Sequence, residues 1–439
     1  MIKIPLNCEH EISSMTRLVF ILSCFFCFGQ VVAQPGTFVQ VHNGKMSLAG
    51  KPYHFLGTNY WYGSLLANSD KGKERLKTEL DFLVKSGVTN LRLMAGAEGE
   101  GLILGVPRVG PAVQPKQGVF NTKTLEGLDF LLSEMGRRKM KAVVFISNNW
   151  EWSGGFLQYL NWNGLIADTV LDRKLTWDET RDYVSLFYGC KSCVDDYKKQ
   201  LQLVVNRTNT ITQKKYSDDP AIMAWQIANE PRPMRASAIN AYKFFLSSVT
   251  AQIKAIDKNH LVTLGTEGDI GTENMEVYEA IHRDINVDYL TIHIWPKNWA
   301  WFTGVLSAAN FDTVLVKTTS YINKHVAAAG KLRKPLVIEE FGLPRDGHSF
   351  SPASGTRFRD AYYRTIFSAW QKSTRSTGLI AGCNFWAFSG KARPVAGQPF
   401  WKAGDDYMGD PPMEEQGLYG VFDSDKSTWK IIRSFAKKP

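Results

Sequence analysis

The sequence predicts an α/β protein, a single-domain (β/α)8 TIM barrel with long βα loops and an N-terminal β-hairpin. Three observations predict it: eight short β-rich apolar runs, amphipathic helical patterns between them, and no Gly-rich dinucleotide or phosphate loop after any strand. Strand–helix alternation gives parallel strands buried on both faces. Eight such units within 439 residues fit a barrel somewhat larger than typical. An open doubly wound sheet is the alternative, and it lacks its phosphate loop here.

Taken in chain order, residues 1–33 read as a secretory signal peptide. Arg17 precedes an uninterrupted apolar or small run at 18–28, and Val31-Val32-Ala33 offers small residues for cleavage. That run is too short to span a bilayer. Met15 is an alternative start, and Cys24 an alternative lipoprotein site inside the apolar run. The expected domain is then 34–439, secreted, without a membrane span and monomeric. Its charge stays at +10, because residues 1–33 remove Lys3 and Arg17 together with Glu9 and Glu11. The basic residues are dispersed, so the charge reads as a surface property and no nucleic-acid partner is expected. With 44% hydrophobic and 21% charged residues the chain is too apolar to be disordered.

The hairpin is read from Asn43-Gly44 between two arms within 38–53, closing one end of the barrel. Candidate strands follow at 53–60, 90–96, 141–149, 222–230, 261–267, 289–295, 335–342 and 382–388. Between them, Leu76, Leu80, Leu83 and Val84 share one helical face, as do Leu125, Leu128, Leu132 and Met135. Three connections are long, at 97–121, 150–190 and 389–422. All follow strands, which places them on the C-terminal face where barrel active sites lie. Long loops there suit the walls of a cleft for an extended ligand.

Cysteine and histidine usage points away from metals. After residue 33 only Cys190, Cys193 and Cys383 remain, and one Cys-x-x-Cys has no second pair to complete a zinc site. In an exported chain Cys190 and Cys193 form a local disulfide or stay as two thiols, and Cys383 is a buried apolar residue. No HxH or HExxH spacing occurs. No metal and no cofactor are expected. Asn206-Arg207-Thr208 is a glycosylation sequon if the host is eukaryotic.

Two strand ends carry the chemistry. Asn229-Glu230-Pro231 ends the fourth strand, and Glu339-Glu340-Phe341-Gly342 ends the seventh. Across a closed barrel these carboxylates face each other over the mouth. Glycoside hydrolysis needs such a pair, one protonated to donate to the leaving oxygen and one ionised to attack the anomeric carbon or activate water. Singly, each Glu also suits a helix cap or an ion pair. Composition does not choose between Glu339 and Glu340, which strand alternation points to opposite sides.

The segments NLRLMAG, NNWEWSGG, AIMAWQIANEPRP, TIHIWPKNW, PLVIEEFG and NFWAF resemble glycoside hydrolase family 5, specifically its endo-β-1,4-mannanase branch. The resemblance runs from GTNYW at Gly57 to FWAF at Trp386. The Asn-Glu-Pro motif is shared by a clan of barrel glycosidases, whereas the run from Tyr197 through NRTNT to ANEPRP is more selective. It implies a retaining mechanism with Glu230 as acid/base and Glu340 as nucleophile, their carboxyls about 5–5.5 Å apart. It implies that Arg92 holds the nucleophile ionised, that Asn229 binds the sugar 2-hydroxyl, and that His293 orients the acid/base. Trp386 matches the platform under the sugar at the cleavage point, and Arg232 with Glu267 the leaving-side sugar-binding pair, for which a structural salt bridge serves equally well. Trp150 and Trp61 stand among the tryptophans grouped with the C-terminal loops, with Trp152, Trp295, Trp299, Trp301 and Trp401, and about half of that group is expected to pack or anchor loops.

One departure stands out. The family commonly carries His-x-Tyr where this chain has His293-Ile294-Trp295, and an indole N–H donates one hydrogen bond but neither accepts nor ionises. The expected partner is a β-mannan polysaccharide or manno-oligosaccharide. The rivals are an exo-acting mannobiohydrolase or mannosidase, which differs only by loops blocking one cleft end, activity on β-glucan, and a non-catalytic mannan-binding barrel. Retention of Glu230, Glu340, Arg92 and Asn229 together argues against the last.

Overall fold

The computed structural model describes residues 37–437. The segment 1–33 expected to be a signal peptide, with Met15 and Cys24, lies outside the described residues. Eight parallel strands form the central sheet: β1 Phe55–Asn59, β2 Asn90–Met94, β3 Lys141–Asn148, β4 Ile222–Asn229, β5 Leu261–Thr263, β6 Leu290–Ile294, β7 Leu336–Phe341 and β8 Ile380–Phe385. Their order, β5-β4-β3-β2-β1-β8-β7-β6, is that of a barrel cut between β5 and β6. Every strand residue except Lys141 is buried, as parallel strands covered on both faces require. The seam between β5 and β6 is joined without a continuous ladder. Asp288 N–H donates to Val262 O (2.8 Å), His293 N–H to Glu267 O (2.9 Å), and the Thr291 hydroxyl to Thr266 O (2.8 Å).

The fifth strand ends earlier than its sequence suggests. Gly265 has φ +83°, and a Cβ there would meet Ala228 O at 2.1 Å, so the chain leaves the ladder to pass against the end of β4. The eighth strand also breaks sooner, and Phe388–Gly390 pairs instead with Val421–Phe422.

Helices wrap the sheet as expected. Leu76, Leu80 and Leu83 are buried, and so are Leu125, Leu128, Leu132 and Met135. Val84, read onto the first of these faces, is 37% exposed, because it lies at the stripe's edge, one residue beyond Leu83. The hairpin pairs Val39–His42 with Lys45–Leu48, and Asn43 and Gly44 both adopt positive φ as its turn needs. Val39 and Met46 pack on Phe55, Met223 and Leu261, closing the N-terminal end of the barrel.

At the opposite end the long loops are fastened to one another. Tyr407 O–H donates to Gly110 O (2.8 Å), Trp61 Nε1–H to Gly409 O (2.8 Å), and Val109 N–H to Trp152 O (3.2 Å). Trp401 stacks on Tyr407 at 5.2 Å, and Trp61 meets Trp152 edge-on at 5.0 Å. Cys190 and Cys193 are bridged at the start of helix Lys191–Val205, and Cys383 is a buried free thiol. Among the described residues no helix is long and apolar enough to cross a membrane.

Candidate active site

The ends of β3, β4, β6, β7 and β8, with Glu267 beyond β5, meet around a cavity of about 500 Å³. Glu230 stands one residue past β4 at φ +51°, and its N–H donates to Gly265 O (3.0 Å), the carbonyl freed by the early end of β5. Its Oε1 meets His293 Nδ1 at 2.6 Å, and its Oε2 accepts from Trp150 Nε1 at 2.6 Å. Across the mouth, Glu340 accepts from Arg92 on one oxygen and from Trp295 Nε1 on the other, the latter at 3.1 Å. Single carboxylate oxygens of Glu230 and Glu340, with a His293 nitrogen, lie within 4.8 Å of one another.

Arg92 is wholly buried and is the hub of this end of the barrel. Besides Glu340 it donates to Gln226 Oε1 (2.8 Å), Asn59 Oδ1 (3.1 Å) and Asn229 Oδ1 (2.7 Å). The Asn229 amide in turn donates to Asn148 Oδ1 (3.1 Å), which fixes which way Asn229 faces.

The alternation expected for Glu339 and Glu340 fails. Glu339 also points into the barrel, 3.4 Å from Arg92 and 3.5 Å from His293, and accepts from Gln226 Nε2 at 2.6 Å. The cause is a β-bulge: Ile292 pairs with Ile338, but His293 pairs with Glu340, so Glu339 is the extra residue.

These neighbours set the protonation states. Burial pulls the His293 ring down, but the carboxylates of Glu340, Glu230 and Glu339 outweigh it and raise it to about 10. Burial pushes Glu340 up to about 7, aided by Glu230 and Glu339 and opposed by His293 and Arg92. Burial also acts upward on Glu230, yet the hydrogen bond and charge of His293, with Arg232 and Trp150, hold it below the usual carboxylate range. The site therefore keeps a proton on His293, between two carboxylates. One His and two Glu are also a donor set for a cation. Here, however, the Arg92 guanidinium and two indole N–H groups already occupy the carboxylate oxygens.

On the Glu230 side, Arg232 forms a two-pronged pair with Glu267, and its guanidinium lies 5.0 Å from the Trp150 ring centre. Both residues line the cavity, so the structural salt bridge and the place at the site coexist. Trp386 lines the opposite wall, edge-on to Trp295 at 5.5 Å. Trp152 and Trp299 also line it, whereas Trp61, Trp301 and Trp401 do not. For Trp61 this corrects the substrate-binding expectation: its indole is buried, its N–H is used by Gly409, and it pins the loops together.

Sequence reasoning missed Asn59, Asn148 and Gln226, which orient Arg92 and Asn229. It also missed Trp177 and Glu414 on the cavity wall. The polar three sit on apolar strands, where an inward amide is a usable signal. The last two lie in long loops whose course no local pattern reveals.

A family model described as glycoside hydrolase family 5 β-mannosidase-like matches residues 36–438. Mannan endo-1,4-β-mannosidase 7 of Arabidopsis thaliana is 28% identical over 382 residues, 84% of this chain and 81% of that protein. Mannan endo-1,4-β-mannosidase 1 of Oryza sativa subsp. japonica is 29% identical, covering 80% and 78%. Among solved structures, a family 5 mannosidase from Rhizomucor miehei, in complex with mannosyl-fructose, superposes with a TM-score of 0.82 at 30% identity, over 92% of this chain and 97% of that one. An endo-β-1,4-mannanase from Thermotoga petrophila shares the fold at a TM-score of 0.65 and 22% identity, over 88% and 77%.

Proposed function

The chain belongs to the glycoside hydrolase family 5 β-mannosidase-like family, and on that premise we propose that it is a retaining hydrolase of β-1,4-mannosidic bonds in mannan, galactomannan or glucomannan. The observation that carries the proposal is the approach of one carboxylate oxygen of Glu230 and one of Glu340 to within 4.8 Å. That gap suits direct attack by a carboxylate, and it is shorter than the roughly 6.5–9.5 Å that an interposed water needs.

In this mechanism the ionised form of Glu340, which Arg92, His293 and Trp295 favour against the burial that raises the carboxyl to about 7, attacks the anomeric carbon while the glycosidic oxygen takes a proton at Glu230. A depressed Glu230 alone is a poor acid. His293, whose Nδ1 stands 2.6 Å from Glu230 Oε1, orients that carboxyl. A sugar that displaces water from the cavity raises Glu230 by desolvation, so that its protonated form donates as negative charge develops on the leaving oxygen. Glu230 then removes a proton from the water that hydrolyses the glycosyl–Glu340 ester. Asn229 binds the 2-hydroxyl of the sugar under attack in this reading, which its fixed orientation between Arg92 and Asn148 supports.

Internal cleavage is the first reading, supported by the relatives named as endo-acting. Terminal cleavage is the second. It is favoured by the long connections at 97–121, 150–190 and 389–422, which are fastened to one another at the cavity end of the barrel. Early products from linear β-1,4-mannan separate them: a spread of oligosaccharides with a rapid fall in viscosity supports the first, mannose or mannobiose alone the second. Glu230→Ala and Glu340→Ala should each remove turnover while polysaccharide affinity persists. Loss of both affinity and fold would overturn the catalytic assignment.

Export belongs to the same proposal, supported by the apolar run at 18–28 and by the Cys190–Cys193 bridge, which an oxidising compartment preserves.

A further inference from the structure

The bulge in β7 turns a second carboxylate inward, and the mechanism above leaves it without a part. Glu339 is buried and firmly held. Its Oε2 accepts from Gln226 Nε2 at 2.6 Å, and its backbone carbonyl accepts from Asn59 Nδ2 at 2.9 Å. Two cationic side chains face it. Arg92 on β2 lies 3.4 Å away and is already bonded to Glu340, and His293 on β6 lies 3.5 Å away. Two phenols face it as well, Tyr289 just before β6 and Tyr278 on helix Met275–His282. Burial first, with the Glu339 charge among the further causes, keeps both phenols protonated, so they add no charge.

Both nitrogens of the His293 ring face carboxylate oxygens. Nδ1 stands 2.6 Å from Glu230 Oε1 and 3.3 Å from Glu340 Oε2, and Nε2 stands 3.5 Å from Glu339 Oε2. A neutral imidazole carries one N–H and one lone pair. Either tautomer aims that lone pair at a carboxylate, and only imidazolium gives each nitrogen a proton. Without Glu339, an N–H at Nδ1 would serve Glu230 and Glu340, and a neutral ring would suffice. The charges agree. Glu230, Glu339 and Glu340 meet Arg92 alone if the ring is neutral, and Arg92 with a second cation if it is charged. Glu267, another carboxylate acting on the ring, is paired with Arg232.

We propose that Glu339 is a positioning residue that keeps His293 doubly protonated, so that a fixed cation stands between Glu230 and Glu340 across the working range of the enzyme. The role rests on the glycosidase reading above. Burial works against a charge on the ring, and Glu340, Glu230 and Glu339 together outweigh it. In Glu339→Gln the negative charge is gone and the amide can donate to Nε2, which suits a neutral ring.

Two readouts test this in the wild type, Glu339→Gln and Glu339→Asp, each checked for an unaltered thermal transition. The first is nitrogen NMR of the His293 ring, assigned by its loss in His293→Asn. The wild-type ring should carry two protons at about pH 8, well above the usual histidine range, and a neutral ring there overturns the proposal without any variant at 339. In Glu339→Gln its midpoint should fall by about two units, the effect of one nearby charge, and in Glu339→Asp it should largely return. The second readout is the alkaline limb of the kcat/KM–pH profile on linear β-1,4-mannan. The proton lost there belongs to the coupled set of Glu230, His293 and Glu340, so removing a negative neighbour moves the limb downward in Glu339→Gln. A Gln variant whose ring midpoint stays in place overturns the proposal, however low its kcat. So does one whose midpoint falls while the limb stays, because the charge on the ring then plays no part in the reaction. An equal shift in Glu339→Asp traces the change to repacking and also overturns it. If the wild type cleaves no mannoside, the glycosidase reading fails separately, and the ring midpoint still decides what Glu339 does.

Discussion

At the scale of single residues, the site turns on which groups touch Glu340. Trp295 Nε1 donates to it at 3.1 Å, in the place where the family's tyrosine is common. A hydrogen bond to the ionised form favours that form and lowers the carboxyl's pKa. Removing it with Trp295→Phe should move the acid limb of the kcat/KM–pH profile upward by about one unit, the equivalent of roughly 1.4 kcal/mol. Trp295→Tyr should bring most of that back, because a phenol can donate the same bond. An unmoved acid limb in the Phe variant would show that the indole only packs. The sequence made Glu230, Glu340, Arg92 and His293 legible, because strand ends and a known motif mark them. It hid the link between Trp150 and Glu230, since what an indole on a long loop touches depends on how the loop returns.

Elements explain the remaining gaps. Runs such as Ile222–Asn229 are β-branched, aromatic and apolar, so their places were readable to within a residue or two. The early end of β5 and the bulge at Glu339 were not. Gly265 looks like any glycine in a strand pattern until β4 is known to lie against it, and a bulge belongs to a pair of strands, with nothing in either one to announce it. The bulge decides the electrostatics, because it brings a second buried carboxylate to Arg92 and His293. The Cys190–Cys193 bridge acts on a smaller scale. A loop this short limits its contribution to about 2 kcal/mol by chain entropy. Cys190→Ser with Cys193→Ser should therefore lower unfolding stability by about that amount in denaturant titration and leave kcat on mannobiose unchanged. A fall in kcat would instead show that the bridge positions the helix behind the cavity.

For the whole molecule, the formal charge of +10 comes from basic residues dispersed along the sequence. Adsorption to acidic cell-wall polymers should therefore weaken steeply between low salt and about 0.1 M, where screening sets in at about 10 Å. Retention that ignores salt would mean contacts of another kind. The fastened loops have a consequence for anyone who wants to redesign the enzyme. Tyr407 and Gly110, Trp61 and Gly409, and Trp152 and Val109 come from different connections, and each holds a partner's backbone group. A chimera that imports one of these loops alone strands polar groups on the others, so the rim is inherited as a set. Conversion between internal and terminal cutting is a transplant of four segments together, the one that carries Trp61 included, and a series of single-loop swaps should pass through poorly folded intermediates before reaching it.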